Sequence, residues 1–423
     1  MFSFIHAADI HLDSPLKGLE QYEGAPVDEI RGATRRALEN LVDVAIDRDV
    51  DFVLIAGDLY DGDWKDHNTG LYFVSQMSRL RETKIPVLVI RGNHDAESRM
   101  TKSLRLPDNV EVLSHTRAQT AKTRKLADLG VAVHGKSFAK AAEYENLAQE
   151  YPEKKKGMFN IGLLHTSLGG AEGHEPYAPC TIEELRQKEY DYWALGHVHQ
   201  REVKHEDPPM IFCGNIQGRH IREPGEKGCY VVTVDEGGGT QYRFEPLDVF
   251  RWARCEVEAS GAERGSDVLD LFSTALSELT QQHEAMPMAV RVEVTGRCRA
   301  HEQLAADAVA WINQIRATAL DAGGGRIWVE KVSFRTGPER DIDGEAMADG
   351  PIGELLRYCT ELREDKEQLL GLGEELEDLW RKLPDDLKRG EERLAFDDPQ
   401  RLREILADVQ PLLCSRLLEE TDR

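Results

Sequence analysis

Five times in the N-terminal half of this chain, a short apolar run stops on a cluster of histidine, aspartate, asparagine and glycine. Asp9 and His11 follow the run Phe4 to Ala8, Gly57 and Asp58 follow Phe52 to Ala56, and Gly92, Asn93, His94 and Asp95 follow Val87 to Arg91. His165 ends the run Ile161 to His165, and Gly196, His197 and His199 follow Tyr192 to Leu195. Runs of this length and composition read as buried β-strands. Ionisable residues set directly against them are unfavourable unless something satisfies them. In an open α/β sheet the loops beyond the C-terminal strand ends converge on one crevice, so clusters far apart in sequence would meet at a single site.

The runs Val131 to Gly135, Met210 to Cys213, Tyr230 to Val234 and Tyr242 to Glu245 extend the strand pattern. Between the first two strands, Ile30, Ala33, Ala37, Leu41 and Val44 recur at helical spacing, which predicts a helix covering one side of the sheet. The fold class is therefore α/β. The Gly-rich EGGGT stretch around Asp235 to Thr240 marks a turn between two closing strands. A smaller unit follows, in which Ala253 to Ala259, Ala289 to Thr295 and Arg326 to Phe334 alternate like strands, with helical patterns at Val268 to Leu279 and Glu302 to Ala319 between them. From about Pro351 the positions Ile352, Leu355, Leu356, Cys359 and Leu362, then Leu376, Leu379, Trp380 and Leu383, keep helical spacing. Leu402, Ile405, Leu406, Val409, Leu412, Leu413, Leu417 and Leu418 continue it. So small an acidic helical segment buries little alone, and either packs on its own protein or binds a partner. The expected division is 1–248, 249–340 and 345–423.

Composition narrows the class further. A chain of 423 residues, 40% of them hydrophobic, is an ordinary globular protein too long for one core. Its seven cysteines are scattered with no C-x-x-C pair, which reads as reduced core thiols. The N-terminus lacks the basic start and cleavage site of a signal peptide, and no run of about 18 uncharged apolar residues occurs. The expected location is the cytoplasm. A formal charge of -24 argues against a broad basic surface for nucleic acid. Bound divalent cations can nevertheless dominate the field of a local site.

The clusters carry what a pair of such cations needs. Imidazole and carboxylate together suit manganese, iron or zinc, whereas magnesium alone prefers all-oxygen shells. Two metals about 3.5 to 4 Å apart need a bridging carboxylate, for which Asp58 is the natural candidate. One metal would then take Asp9, His11 and His199, the other Asn93, His165 and His197. Arg91, Arg219, His220, Arg222 and Lys227 lie near these motifs and could meet phosphates, the first three being the substrate-binding candidates.

The ordered set AADIHLD, AGDLYDG, RGNHD, LLHTS and ALGHVH resembles the signature of calcineurin-like metallophosphoesterases. That resemblance implies a four-layer α-β-β-α sandwich, followed here by a small α/β capping domain and a helical C-terminal region. It also implies metal-ligand roles for the residues already named, with Asp58 shared. By the same resemblance His94 is the histidine that approaches the scissile phosphate, and Asp61 the residue that orients it. The opening IHAADIHLDSPLKGL and the segment CGNIQGRHIREPGEKGCYVV are similar to the SbcD-type repair nucleases, particularly their YhaO-like branch. The expected function is hydrolysis of DNA phosphodiesters by water activated between two metals, with an SMC-like ATPase of the SbcC or YhaN kind as partner. A homodimer is a further expectation from that family. The block Gly214 to Arg222 departs from better known members, which leaves DNA preference and polarity open. A phosphodiesterase or nucleotidase of small nucleotides, and a catalytically silent scaffold of the same fold, remain the alternatives.

Overall fold

In the computed structural model, β1 (Phe2–Ala7) is buried along almost its whole length, as a strand flanked on both sides and covered on both faces must be. The structure describes residues 1–14, 32–61, 68–97, 104–169, 175–284, 286–339, 351–383, 396–403, 405–406, 409–410 and 413. In chain order there follow β2 (Phe52–Ala56), β3 (Val87–Ile90), β4 (Val110–Val112), β5 (Gln119–Thr120) and β6 (Val131–Gly135). Then come β7 (Phe159–His165), β8 (Tyr192–Gly196), β9 (Glu202–Glu206), β10 (Pro209–Phe212), β11 (Gly228–Val234) and β12 (Thr240–Pro246).

Among the described residues these strands make two six-stranded sheets. The first has the order β12-β11-β1-β2-β3-β4, parallel from β1 to β4, with β11 and β12 added antiparallel. The second has the order β5-β6-β7-β8-β10-β9, parallel through β6, β7, β8 and β10, with antiparallel strands at both edges. The all-apolar runs FVLIA and VLVI occupy inner positions, as parallel strands covered on both faces require. The edge strands β9 and β12 carry EVKHE and TQYRFEP, whose charges protect an open edge from further pairing.

The two sheets meet face to face. Phe4 and Phe52 stack at 4.9 Å between ring centroids, Tyr192 meets Phe4 edge-on at 5.3 Å, and Leu54, Leu88, Ile161 and Leu163 fill the space between. On the outer face of the first sheet lie α1 (Ala33–Asp47) and α2 (Asn68–Glu82), packing Leu38, Leu41, Phe73 and Met77 on Ile5, Val53 and Val87. The short α3 (Asn93–Glu97) and α4 (Arg124–Asp128) come next in the chain. The outer face of the second sheet is covered by a 3-10 turn at Leu147–Glu150 and α5 (Ile182–Gln187), around Phe138, Tyr151, Trp193 and Phe212. This is the expected four-layer sandwich.

The chain divides into two compact units, Met1–Arg254 with Gln282–Arg291 and Gly323–Glu330, and Cys255–Gln281 with Val292–Ala322 and Lys331–Arg423. A third sheet has the order β13 (Arg251–Glu258), β14 (Met288–Arg297) and β15 (Ile327–Gly337). After β13, α6 (Gly265–Gln282) buries Val268, Phe272 and Leu276. The single helix expected over Glu302 to Ala319 is two, α7 (His301–Ala306) and α8 (Ala308–Ala322). Asp307 breaks it, at φ -142° and ψ 65°, and its carboxylate accepts from the Ala310 N–H at 3.0 Å, the local competition typical of aspartate. Of the C-terminal helices α9 (Pro351–Glu364), α10 (Lys366–Glu375) and α11 (Glu377–Lys382), the first supplies Cys359 and Leu362 and the second Leu369 to a small core shared with Leu402 and Leu406. Ile30, Leu412, Cys414, Leu417 and Leu418 lie outside the described residues. No helix among the described residues is long and apolar enough to cross a membrane.

The inter-sheet core should dominate stability. Phe52→Ala removes a fully buried ring and is expected to lower unfolding free energy by about 3–5 kcal/mol. Leu71→Ala, at a site 58% exposed on α2, should change it by less than about 0.5 kcal/mol. Urea unfolding checks both, and equal losses would contradict this account of the core.

Candidate metal centre

The loops after β1 and β2 continue side by side beyond their strands. Asp9 N–H donates to Gly57 O, His11 N–H to Asp58 O and Leu12 N–H to Leu59 O, each at 3.0 Å. To do so Asp9, His11 and Asp58 adopt φ of 50°, 44° and 48°, the left-handed region that side chains rarely take. His197, at the end of β8, has φ 99°. Backbone of this kind persists only where its surroundings hold it, and it concentrates at functional sites. Two glycines make the close packing feasible. A Cβ on Gly57 would lie 2.4 Å from His165 Nδ1, and one on Gly92 would lie 2.2 Å from Asp58 Oδ1.

Asp95 ties the third loop to the second. Its buried carboxylate accepts from the N–H groups of Gly92 at 3.1 Å, Leu59 at 3.1 Å and Tyr60 at 2.9 Å. Burial first, and then the charge of Asp58, pushes its carboxyl up to about 6, against the pull of those three donors. His94 N–H in turn donates to Asp58 Oδ1 at 3.0 Å, and His197 N–H reaches both Asp9 oxygens at 3.1 Å.

Side chains from all five clusters converge. Asp9, His11 and His199 form one group, and Asp58, His165 and His197 another, the ligand-type atoms of each lying within 4.8 Å of one another. Asn93 Oδ1 is 3.0 Å from His165 Nε2, and Asp58 Oδ2 is 3.5 Å from the same nitrogen and 3.8 Å from His11 Nε2. Asp9 and Asp58 are each only 1% exposed. Burial pushes His11 down to about 3. It disfavours the charged form of His165 too, but the carboxylates of Asp58 and Asp9 outweigh it and bring His165 up to about 9. Burial likewise opposes ionisation of Asp58, and His165 and His11 more than compensate, holding it well below the usual carboxylate range.

At the rim, His94 Nδ1 lies 3.0 Å from Asp61 Oδ1, with the His94 side chain 39% exposed. Asp61 also accepts from Ser14 Oγ at 2.7 Å and has His11 Nδ1 at 3.5 Å and Arg219 Nη1 at 3.8 Å. Burial works against the Asp61 charge, but hydrogen bonds from His11 and His94 hold its carboxyl below the usual range. Of the three substrate-binding candidates, Arg219 and His220 stand beside this rim, both close to Glu223. The Arg91 side chain instead lines a small apolar cavity with Leu59, Tyr60, Phe73 and Asp95. Glu223 and Ser14 were not singled out by the sequence, and Asp95 was named in the third cluster without a role. Asp95 sits inside a recognisable motif, whereas nothing local distinguishes Glu223 from the exposed Glu226 beside it.

The donor set fits divalent cations. His11 Nε2 and His199 Nε2 face each other at 3.2 Å, a separation that a shared cation would satisfy at both nitrogens. Imidazoles mixed with buried carboxylates are the donors that borderline divalent ions select.

Comparison with known proteins gives the same chemistry. Residues 2–201 match the calcineurin-like phosphoesterase family, and residues 252–337 match the middle domain of metallophosphoesterase YhaO. The chain is 35% identical over 295 residues to the metallophosphoesterase YhaO of Bacillus subtilis (strain 168), covering 70% of this chain and 72% of that protein. It is 29% identical over 204 residues to the DNA double-strand break repair protein Mre11 of Sulfurisphaera tokodaii, covering 47% of this chain and 49% of that one. To the protein of the same name from Methanopyrus kandleri it is 24% identical over 286 residues, covering 60% of this chain and 59% of that one. The chain therefore belongs to the calcineurin-like metallophosphoesterases, hydrolases of phosphodiester bonds that use divalent metals, and within them it is kin to YhaO.

Proposed function

We propose that this metallophosphoesterase is a manganese-dependent DNA nuclease acting in repair or end processing. The single observation that carries the catalytic part is the His94 and Asp61 couple, 3.0 Å apart at the rim of two buried donor groups. Two relatives described as DNA double-strand break repair proteins support the choice of DNA.

Asp9, His11 and His199 would hold one cation and Asn93, His165 and His197 the other, with Asp58 common to both. When bound, such a pair polarises the phosphoryl oxygens and lowers the pKa of the attacking water. The remaining work falls to side chains of this chain. Asp61 accepts a hydrogen bond from the His94 Nδ1–H, which leaves Nε2–H to face the substrate and protonate the departing sugar oxygen. Burial disfavours the charged His94, yet Asp61 holds its pKa above the ordinary value, so the ring retains the proton it must give. Arg219 and His220 would meet the phosphodiester beside His94; Arg91 is assigned to the same task on its place next to Gly92 alone.

With a net charge of -24, the chain is a poor DNA-binding surface by itself. An SMC-like ATPase of the SbcC or YhaN kind is the proposed partner, in the cytoplasm, and the helices within 345–423 are the proposed place for it to dock. The units 1–248 and 249–340 are taken as the nuclease and capping domains, and the match over 252–337 supports the second. A homodimer completes the proposed assembly.

With Mn²⁺ the purified chain should degrade labelled linear DNA, single- or double-stranded, and chelation should abolish this. His94→Ala should bind Mn²⁺ as the wild type does, yet lose about 100-fold or more in kcat. Hydrolysis of bis-p-nitrophenyl phosphate without any cutting of DNA, alone or with the ATPase, would sink the nuclease reading in favour of a small diester. Asp58→Asn should weaken both metal sites together in a calorimetric titration, and loss of only one would argue against its bridging role.

A further inference from the structure

Two histidines of this site, His165 and His197, are held by their far nitrogens. His165 Nδ1 is 2.9 Å from Ala56 O, and His197 Nε2 is 3.0 Å from Glu175 O. Both anchors are main-chain carbonyls supplied by the fold. His199 differs, because its Nδ1 lies 2.7 Å from Glu223 Oε1, a carboxylate only 4% exposed.

We infer that Glu223 is a positioning residue that fixes His199 as its Nδ1–H tautomer, with Nε2 turned to the metal group, and that the segment Cys213 to Gly228 exists to hold it there. The inference rests on the metal-site reading above. Glu223 is itself fully engaged. Its Oε2 accepts from Asn215 Nδ2 and from the Arg219 N–H, both at 2.8 Å, and its Oε1 takes Arg219 Nη2 at 3.0 Å. The same segment grips the His199 main chain, since Asn215 N–H and Lys227 Nζ donate to His199 O at 3.3 and 3.1 Å. A Cβ on Gly214 would come within 2.8 Å of that oxygen.

The tautomer follows from counting protons. An ionised carboxylate only accepts, so the 2.7 Å contact places the proton on Nδ1. The 3.2 Å separation of Arg219 Nη2 from the same nitrogen is then a contact between two donors that share Glu223. Nε2 is left as the lone-pair nitrogen, 3.2 Å from His11 Nε2 within the metal group. A carboxylate behind a ligating imidazole also raises its basicity, and losing such a partner usually lowers metal affinity 10- to 100-fold. Because Arg219 rests on that same carboxylate and comes within 3.8 Å of Asp61, one side chain orients a ligand on one side and a phosphate-facing cation on the other.

The test uses the full chain with ¹⁵N-labelled histidine. In the metal-free wild type, long-range ¹H–¹⁵N spectra should show His199 as Nδ1–H, and Glu223→Gln should shift it toward a mixture of tautomers. Calorimetric titration with Mn²⁺ should find two sites in the wild type. In Glu223→Gln one of them should weaken by about 10- to 100-fold and the other should stay as it was, while Glu226→Gln leaves both unchanged. Should Glu223→Gln fail to fold, the wild-type tautomer decides alone. An Nε2–H tautomer of His199 in the wild type, or two Mn²⁺ sites of wild-type affinity in Glu223→Gln, would overturn the inference. A wild type that binds no Mn²⁺ would instead overturn the metal-site reading on which it rests.

Discussion

Two carboxylates, Asp9 and Asp58, are almost wholly withdrawn from water at the adjacent ends of parallel strands, and the surrounding structure compensates for that burial. A lone buried carboxylate is strongly disfavoured unless it is paired and hydrogen-bonded. Here main-chain donors come from two different loops, His197 N–H to Asp9 and His94 N–H to Asp58, while the rings of His11, His165 and His199 crowd the same space. The left-handed turns at Asp9, His11 and Asp58 lie where the two loops twist out of their strands and pair their main chains. The glycines are a further consequence, because the second carboxylate and the His165 ring occupy the space a side chain would need.

Much of this was legible in the sequence because burial and chemistry fell at one boundary. Where FVLIA gives way to Gly57 and Asp58, or the run before His165 ends, apolar patterning marks a strand and the next polar residue marks the crevice. Elements without that contrast escaped. β4 and β5 are only three and two residues long, and β9 is polar because it lies at an edge, so none presents a periodic apolar face. The break at Asp307 was hidden for another reason. Flanking alanines favour a helix through it, and a single side chain capping Ala310 decides the matter. Glu223 was illegible in principle, since the contact that distinguishes it is with His199, 24 residues earlier in the chain.

The charge balance also becomes clearer once partners are known. Around the site most cations are already spent within the protein. Arg219 faces Glu223, Lys227 reaches the main chain at His199, and Arg201 lies near Glu226 while its guanidinium stacks over Phe244. An acidic chain can therefore keep basic residues beside its candidate metal centre without offering phosphates a broad positive face. The attraction for an anion must come from the crevice itself, where bound divalent ions would be the largest charges present.

The donor groups are drawn from both sheets. Asp9, Asp58 and Asn93 follow β1, β2 and β3 of one, whereas His165, His197 and His199 stand at the ends of β7 and β8 of the other. The contact from His165 to Ala56 O crosses between them, and a Cβ on Gly196 would come within 2.0 Å of the same oxygen. The site is thus a calliper closed on the gap between two sheets. Its jaws are set by the aromatic packing of Phe4, Phe52 and Tyr192 deep in the sandwich, so the spacing of the donor groups is inherited from a core buried away from them.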